Sequence, residues 1–432
     1  MKCAIEPATR RTKSIEDGFL SEILDLRISG SRTESHQMPV SHTPPRVSIP
    51  NEDEDIDADL DEFLDIFRGL PDPRDPRGLQ YDLVFLLAAS TVAVMAGATG
   101  FRAIADHIAD LPDSVAKLFG ARWNWFHWKY NCPSASTLRA VFADINIEEL
   151  ERRIGEWLFT RARSGREGLI TLALDGKVLR GAWTDDHQQF TLFSAMIHGI
   201  GVTIGQLQVP QGTTEVTQVE PLIDMITILG ADTLITVDAA HTHATTAQAL
   251  KGERNIDFIM TVKSNQPNLL TELISRFKPI LASTPHHVIE ERGHGRKKRW
   301  SIWALPATDL DFPHLEQIAC IRRDTWNLDG TYIGKEFAFP ITSASAEKVS
   351  PSDLNHHVRN HWGIEAKSHW VRDTVWREDH NQSWKGNTAH AFAALKNLAI
   401  GAIRLAGLHE IKRTTESIAR DRTRAIPLLA SS

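Results

Sequence analysis

The sequence predicts an α/β protein: an all-α region, then a mixed sheet with a β-rich insertion. Three observations predict it. Residues 81–164 carry helical apolar patterns. From residue 168 the texture becomes strand, strand, strand, helix, strand, helix, strand. Two of those strands, Ile170-Thr-Leu-Ala-Leu-Asp175 and Leu234-Ile-Thr-Val-Asp238, are short apolar runs that end in an aspartate.

The elements follow in order. Residues 1–58 read as a disordered polar and acidic tail, since the first fifty are rich in Ser, Thr, Pro and Arg without periodicity. Leu60, Phe63, Leu64 and Phe67 then space a short amphipathic helix, and Pro71, Pro73 and Pro76 forbid its continuation. Helices are expected over 81–110, 113–119, 136–143 and 147–164, giving a helical region over 59–165. Leu83 to Gly100 approaches the length of a membrane span, but Ser90, Thr91, Gly97 and Thr99 interrupt it and Asp82 and Arg102 flank it. A buried helix is the expectation, with no membrane partner. Arg122-Trp-Asn-Trp-Phe-His-Trp-Lys-Tyr130 is read as an aromatic staple for the helices, base stacking being the alternative. Ser136 is the candidate N-cap of the next helix.

A sheet domain is expected over 166–425. Its strands are 169–175, 189–198, 201–208, 233–238 and 256–263, with helices near 216–229 and 243–251. An insertion at about 285–342 supplies further strands (His287–Arg292, Arg299–Leu305, Gln317–Arg323, Thr331–Ile341), and 351–406 returns to helix. Three antiparallel strands followed by alternating helix and strand describe an RNase H-like mixed sheet. In that fold the first aspartate falls on the first strand and the second on the fourth, as Asp175 and Asp238 do.

Charge narrows the function classes. The formal net charge is −7, yet Glu52 to Asp65 holds nine acidic residues and no basic one, so the rest of the chain sums to about +2. Arg292 with Arg296-Lys297-Lys298-Arg299, and Lys412-Arg413 with Arg420, Arg422 and Arg424, form local basic patches. Three cysteines without paired spacing give neither a disulfide framework nor a zinc motif, and no apolar leader is visible, so a cytoplasmic location is expected.

The chemistry concentrates in His357-Val-Arg-Asn-His361-Trp-Gly-Ile-Glu365-Ala-Lys-Ser-His369. Its three histidines and Glu365 recur every four residues and line one face of a helix, beside an apolar edge of Val358, Trp362 and Val371. A strand-end aspartate is costly unless something positive neutralises it. Taken singly, each aspartate reads as a turn or a helix cap. Together, two strand aspartates and a helical glutamate are the hard oxygen donors that Mg²⁺ or Mn²⁺ requires, and two such ions roughly 3.5–4 Å apart serve phosphodiester chemistry. A zinc site built from His357, His361 and His369 would spread its ligands over about 18 Å of helix, too far for one ion.

The ordered set of motifs resembles the DDE transposases of bacterial insertion sequences, in their H-repeat-associated (ISAs-type) branch. It runs from Leu70-Pro-Asp-Pro-Arg74 and Gly100-Phe-Arg-Ala-Ile-Ala105 through Leu174-Asp175-Gly-Lys177, Asp238-Ala-Ala-His241 and Val262-Lys263-Ser-Asn265-Gln266-Pro267. It continues through Gly293-His294-Gly-Arg296, Arg359-Asn-His361-Trp-Gly-Ile-Glu365, His369-Trp-Val-Arg-Asp373, Glu378-Asp379 and Lys385-Gly-Asn387. The resemblance implies a catalytic and metal-binding triad of Asp175, Asp238 and Glu365. It implies Mg²⁺-dependent (or Mn²⁺-dependent) cleavage at inverted repeats, joining of the 3′-hydroxyl to target DNA, and a synaptic homodimer on double-stranded DNA. Lys177, His241, Lys263, Asn265, Gln266, His294, Arg296, His361 and Arg372 are the expected DNA contacts. Related transposases carry Tyr, Arg and Lys where this chain has Val358, His361 and Arg372. The competing reading is a decayed or domesticated relative that binds DNA without cutting it.

Overall fold

The computed structural model describes residues 53–77, 79–183, 189–293, 295–382 and 385–430. Residues 1–52 of the expected tail, and His294, lie outside the described residues. The helical region holds α1 (Asp53–Asp65), α2 (Leu83–Met95), α3 (Phe101–Ala109), α4 (Asp113–Leu118), a hairpin of β1 (Trp123–Asn124) and β2 (Lys129–Tyr130), α5 (Ala135–Asp144) and α6 (Ile147–Arg163). The single helix expected over 81–110 is two, because Gly97 turns left-handed (φ +88°) and ends the first. The cap of α5 is Ser134 rather than Ser136: the Ser134 hydroxyl accepts from the Thr137 amide at 3.2 Å.

Helix α2 is buried on nearly every side, and its Val94 carbonyl accepts the Trp376 indole N–H at 2.8 Å. That burial explains its apolar composition. Among the described residues no helix is long and apolar enough to cross a membrane.

The second part adds β3 (Ile170–Trp183), β4 (Gln189–Ile197), β5 (Thr203–Gln208), α7 (Val219–Met225), β6 (Thr233–Val237), α8 (Ala244–Ala247), β7 (Asp257–Val262), α9 (Pro267–Phe277), β8 (His287–Gly293), β9 (Arg296–Pro306), β10 (Gln317–Asn327) and β11 (Tyr332–Thr342). It closes with α10 (Pro351–His361), α11 (Trp370–Val375), α12 (Thr388–Leu405), α13 (Ile411–Arg420) and α14 (Ile426–Leu429). The result is a mixed α/β fold in which nine strands form one sheet, ordered β5-β4-β3-β6-β7-β11-β10-β9-β8. β3, β6 and β7 run parallel; their other neighbours pair antiparallel. The insertion strands therefore extend the same sheet, because β11 zips onto β7 from Phe339↔Val262 to Thr342↔Ile259.

The helical region and the sheet share a hydrophobic core. Phe101 of α3 packs 6.1 Å from Phe392 of α12, and both belong to the buried cluster that also takes in Leu172, Leu174 and Val237. Burial of this kind stabilises by roughly 25 cal/mol per Å² of apolar surface, which holds the strands that carry the aspartates rigid.

Candidate active site

The site begins in strand register. β3 and β6 pair in parallel up to Leu174↔Val237, so Asp175 and Asp238 occupy the next positions of neighbouring strands. Side chains at paired positions of a parallel ladder leave the same face, with strands about 4.8 Å apart. β3 does not stop there, as the sequence reading had it. It continues to Trp183, pairing Asp175 with Ser194 of β4. The end of the parallel ladder, rather than the end of the strand, exposes the two carboxylates.

Glu365 comes from above. Helix α10 starts in a capping box between Ser350 and Asp353. The expected regular helix then changes: Glu365–His369 form a π turn before α11 resumes, a widening common at functional sites. His361 ties the segment to the sheet, its Nδ1 lying 3.0 Å from the Thr236 hydroxyl of β6. His369 Nδ1 sits 3.7 Å from Asp175 Oδ2. The predicted apolar edge is only partly one: Val371 is buried, whereas Trp362 is 68% exposed.

Electrostatics mark Asp175 as the centre. Burial pushes its carboxyl up, the Gly176 amide opposes this, and the like charges of Glu215, Asp238 and Glu365 add to it, reaching about 7. The neighbouring histidines do not neutralise it. Burial, with Arg372 and Lys177 nearby, pushes His369 down to about 3, and burial pushes His361 down to about 4. Asp238 Oδ1 accepts from the Ala240 amide at 3.0 Å.

Glu215 is the residue that sequence reasoning missed. It follows β5, and its carboxylate packs against Gly176 so closely that a Cβ there would meet Oε1 at 1.8 Å. His241 Nε2 lies 3.5 Å from Glu215 and 3.9 Å from Asp238, its ring stacked on Phe193. A cleft of about 330 Å³ opens beside Glu215 and His241, lined also by Thr213 and Thr214. In the sequence Glu215 looks like any acid opening a short helical turn, so no local signal set it apart.

The other expected contacts divide. Lys263 is exposed, and among the described residues no carboxylate pairs with it. Asn265, exposed, and Gln266, half-buried, donate to the Ala239 and Thr242 carbonyls at 2.7 and 2.9 Å and so pin the loop after Asp238. Lys177 is 6% exposed and spends its ammonium on Asp373 at 2.7 Å. Arg372 departs furthest from the sequence expectation of a DNA contact: it has no exposed surface and grips Glu378 bidentately at 2.8 and 2.9 Å. Its planar fork suits a buried carboxylate as well as a phosphate. Arg296 is exposed on β9, five strands from β3 and so roughly 24 Å away; the structure does not bring it to the carboxylates.

Among the described residues no three His, Cys, Asp or Glu side chains close into a ready-made metal cage. The donor set nonetheless suits a hard cation. Glu215, Asp238 and Glu365 all act on the Asp175 carboxyl, which is desolvated with no cation among the groups that shift it. Lewis-acid chemistry on a phosphate is what such an arrangement can support.

Comparison with known proteins identifies the family. Residues 168–401, more than half the chain, match the family model described as Transposase DDE domain, and residues 64–158 match the one described as DDE_Tnp_1-associated. The chain is 25% identical over 368 residues to "Putative transposase YncI" of Escherichia coli O157:H7, covering 80% of this chain and 88% of that protein. It is 24% identical over 396 residues to "H repeat-associated putative transposase YhhI" of Escherichia coli (strain K12), covering 87% and 99%. A piggyBac transposase synaptic complex with hairpin DNA aligns over 86% of this chain and 78% of that one at 10% identity, but its TM-score of 0.39 is too low to carry an argument. With one family model on the helical region and the other, over more than half of the chain, on the nine-stranded sheet and the helices that follow it, the chain belongs to the DDE transposase family.

Proposed function

We propose that this protein is an active DNA transposase that binds the inverted repeats of an insertion sequence, cuts the phosphodiester there and joins the freed 3′-hydroxyl to target DNA. Asp175, Asp238 and Glu365 would hold two Mg²⁺ or Mn²⁺ ions. The observation that carries this is the placement of Asp175 and Asp238 one step past the last parallel pair, with Glu365 raising the same carboxyl from the π turn. Ions bound there would favour attack by a water or 3′-hydroxyl and offset charge on the leaving oxygen.

The chain's own residues have distinct duties in this reading. The segment β5-β4-β3-β6-β7 is the RNase H-like core that fixes the aspartates. His361 anchors the glutamate-bearing segment to β6, and His241 with Glu215 orients Asp238. Asn265 and Gln266 hold the loop behind it, leaving Lys263 to meet a phosphate. Lys177 and Arg372 act from inside, tying α11 to β3 and to Glu378. Arg296 contacts DNA away from the cut. The helical region over 59–165 binds the element end, and two protomers pair in the synaptic complex.

Nicking of DNA carrying the element's own ends tests the reading. Cutting is expected with Mg²⁺ or Mn²⁺, and loss of about a thousandfold or more in each of Asp175→Asn, Asp238→Asn and Glu365→Gln. Tight end-binding without cutting by the native chain would establish the binding-only relative instead.

A further inference from the structure

The hairpin β1–β2 turns inside out the structural role expected of its aromatic residues. Trp123 and Tyr130 are half-buried and meet edge to face at 4.9 Å, so these two staple the hairpin. The tip makes ring contacts only within the hairpin and stays open to solvent. Trp125 is 72% exposed, Phe126 95% and Trp128 75%. Three large apolar side chains at one turn, all facing solvent, are a liability unless something covers them.

The tip is also built to stay put. Asn124 accepts from the Phe126 and His127 amides at 3.0 and 3.2 Å, and its amide donates to Asn131 at 2.9 Å. Trp125 packs edge to face on Trp128 at 6.2 Å. Trp128 itself is left-handed (φ +49°), a conformation a glycine adopts freely and a bulky residue only against resistance.

Charge indicates the occupant. From Ser114 to Ala143 the chain has no carboxylate, while Lys117, Arg122, Lys129 and Arg139 are basic. A second copy docking tip to tip would press like charges together. Nucleic acid answers both features, since phosphates complement the cations and every base offers a π-face to an aromatic ring. In a regular duplex those faces are already covered by neighbouring pairs, so an aromatic tip needs bases that are unpaired.

We propose that Trp125, Phe126 and Trp128 form a finger that stacks on unpaired bases of the DNA this protein handles. The inference rests on DNA being the substrate and adds the part of it that the helical region reads. It concerns a surface separate in sequence from the carboxylates, and its residues take no part in cutting.

The test is fluorescence anisotropy of the full chain with three labelled oligonucleotides: a paired duplex, the same duplex with a short unpaired bubble, and one strand alone. The bubble also carries 2-aminopurine, whose emission falls when it stacks. The native chain is expected to prefer the bubble and the single strand and to quench 2-aminopurine. Phe126→Ala, and Trp125→Ala with Trp128→Ala, are expected to weaken those two by about tenfold or more, leaving duplex binding unchanged. Phe126→Trp is expected to keep the preference. All these positions are exposed, and a thermal melt confirms the fold. Native-like preference in the alanine variants overturns the finger while leaving the transposase reading intact. A change from dimer to monomer by light scattering, with the DNA preference retained, overturns it in favour of a protein contact. A native chain that binds none of the three DNAs overturns both.

Discussion

Between Glu365 and Glu378 the chain passes two groups of carboxylates in opposite electrical circumstances. Glu378 is wholly enclosed, yet its charge is answered from inside. Burial by itself pushes its carboxyl up, and Arg372 and Lys396 outweigh that and hold it down at about 2. Gln206 extends the cluster, accepting from Arg372 at 2.9 Å and donating to Glu151 at 2.8 Å. Asp175 is less buried, yet it is pushed up to about 7 by desolvation and by carboxylate neighbours. One group is electrically closed and serves the fold. The other is left open, and it is where the proposed ions would bind. Structural ion pairs and catalytic ligands use the same residue types, and only the balance of charge around them tells the two apart.

Substitutions break that contrast with opposite signs. The largest effect is expected from Arg372→Met, which strips Glu378 of its bidentate partner and costs about 3–5 kcal/mol in urea unfolding. Asp175→Asn is expected to do the reverse, raising stability by about 1–3 kcal/mol at pH 8 because it removes a desolvated charge among like charges. Equal destabilisation by both would erase the distinction between the groups. Mg²⁺ or Mn²⁺ at about a hundred times its dissociation constant is expected to stabilise the native chain by about 2.7 kcal/mol in a thermal melt. It is expected to leave Asp175→Asn unmoved.

The pH dependence sharpens the comparison. Burial depresses His198 to about 2, His369 to about 3, and His357 and His361 to about 4, all from 6.5. The unfolded chain therefore takes up protons first as pH falls, and stability is lost from about pH 6.5 downward. Asp175, raised from 3.8 to about 7, slopes the other way, binding its proton in the folded state and losing stability as pH rises through that window. Melting curves from pH 4 to 8 are expected to fall on the acid side. The gain from Asp175→Asn should be large at pH 8 and nearly absent at pH 4; a gain that does not vary with pH would deny the raised carboxyl. The smallest effect on stability belongs to Gly176→Ala, because the clashing atoms are the end of the Glu215 side chain, which can swing away. It is expected to cost less than about 1 kcal/mol while lowering the pH at which Asp175 titrates by NMR.

Much of this architecture was legible in the sequence, and the failures have physical causes. Apolar runs placed β3 and β6, because buried parallel strands read as continuous hydrophobic segments. They also ended β3 at Asp175 too early, since a strand that loses its parallel neighbour but keeps an antiparallel one becomes more polar without stopping. The four-residue stripe expected one regular helix through His361 and Glu365, but a π turn, which opens at Glu365, leaves no mark in residue spacing. Arg372 and Glu215 exchanged the roles their types suggest: the basic residue is spent in the interior and the unremarked acid stands at the cleft. The glutamate's outcome depends on Gly176, far away in sequence, and the arginine's on Gln206 as well as on Glu378 six residues on, whose own burial the spacing does not announce.

Manganese binding, followed by electron paramagnetic resonance on the native chain with and without an element-end DNA, tests the open cleft most directly. Two ions are expected per chain with DNA present, with binding lost in Asp175→Asn, Asp238→Asn and Glu365→Gln and retained in Phe126→Ala. Manganese uptake that is unchanged in the three carboxylate variants, or absent from the native chain on DNA, would contradict it.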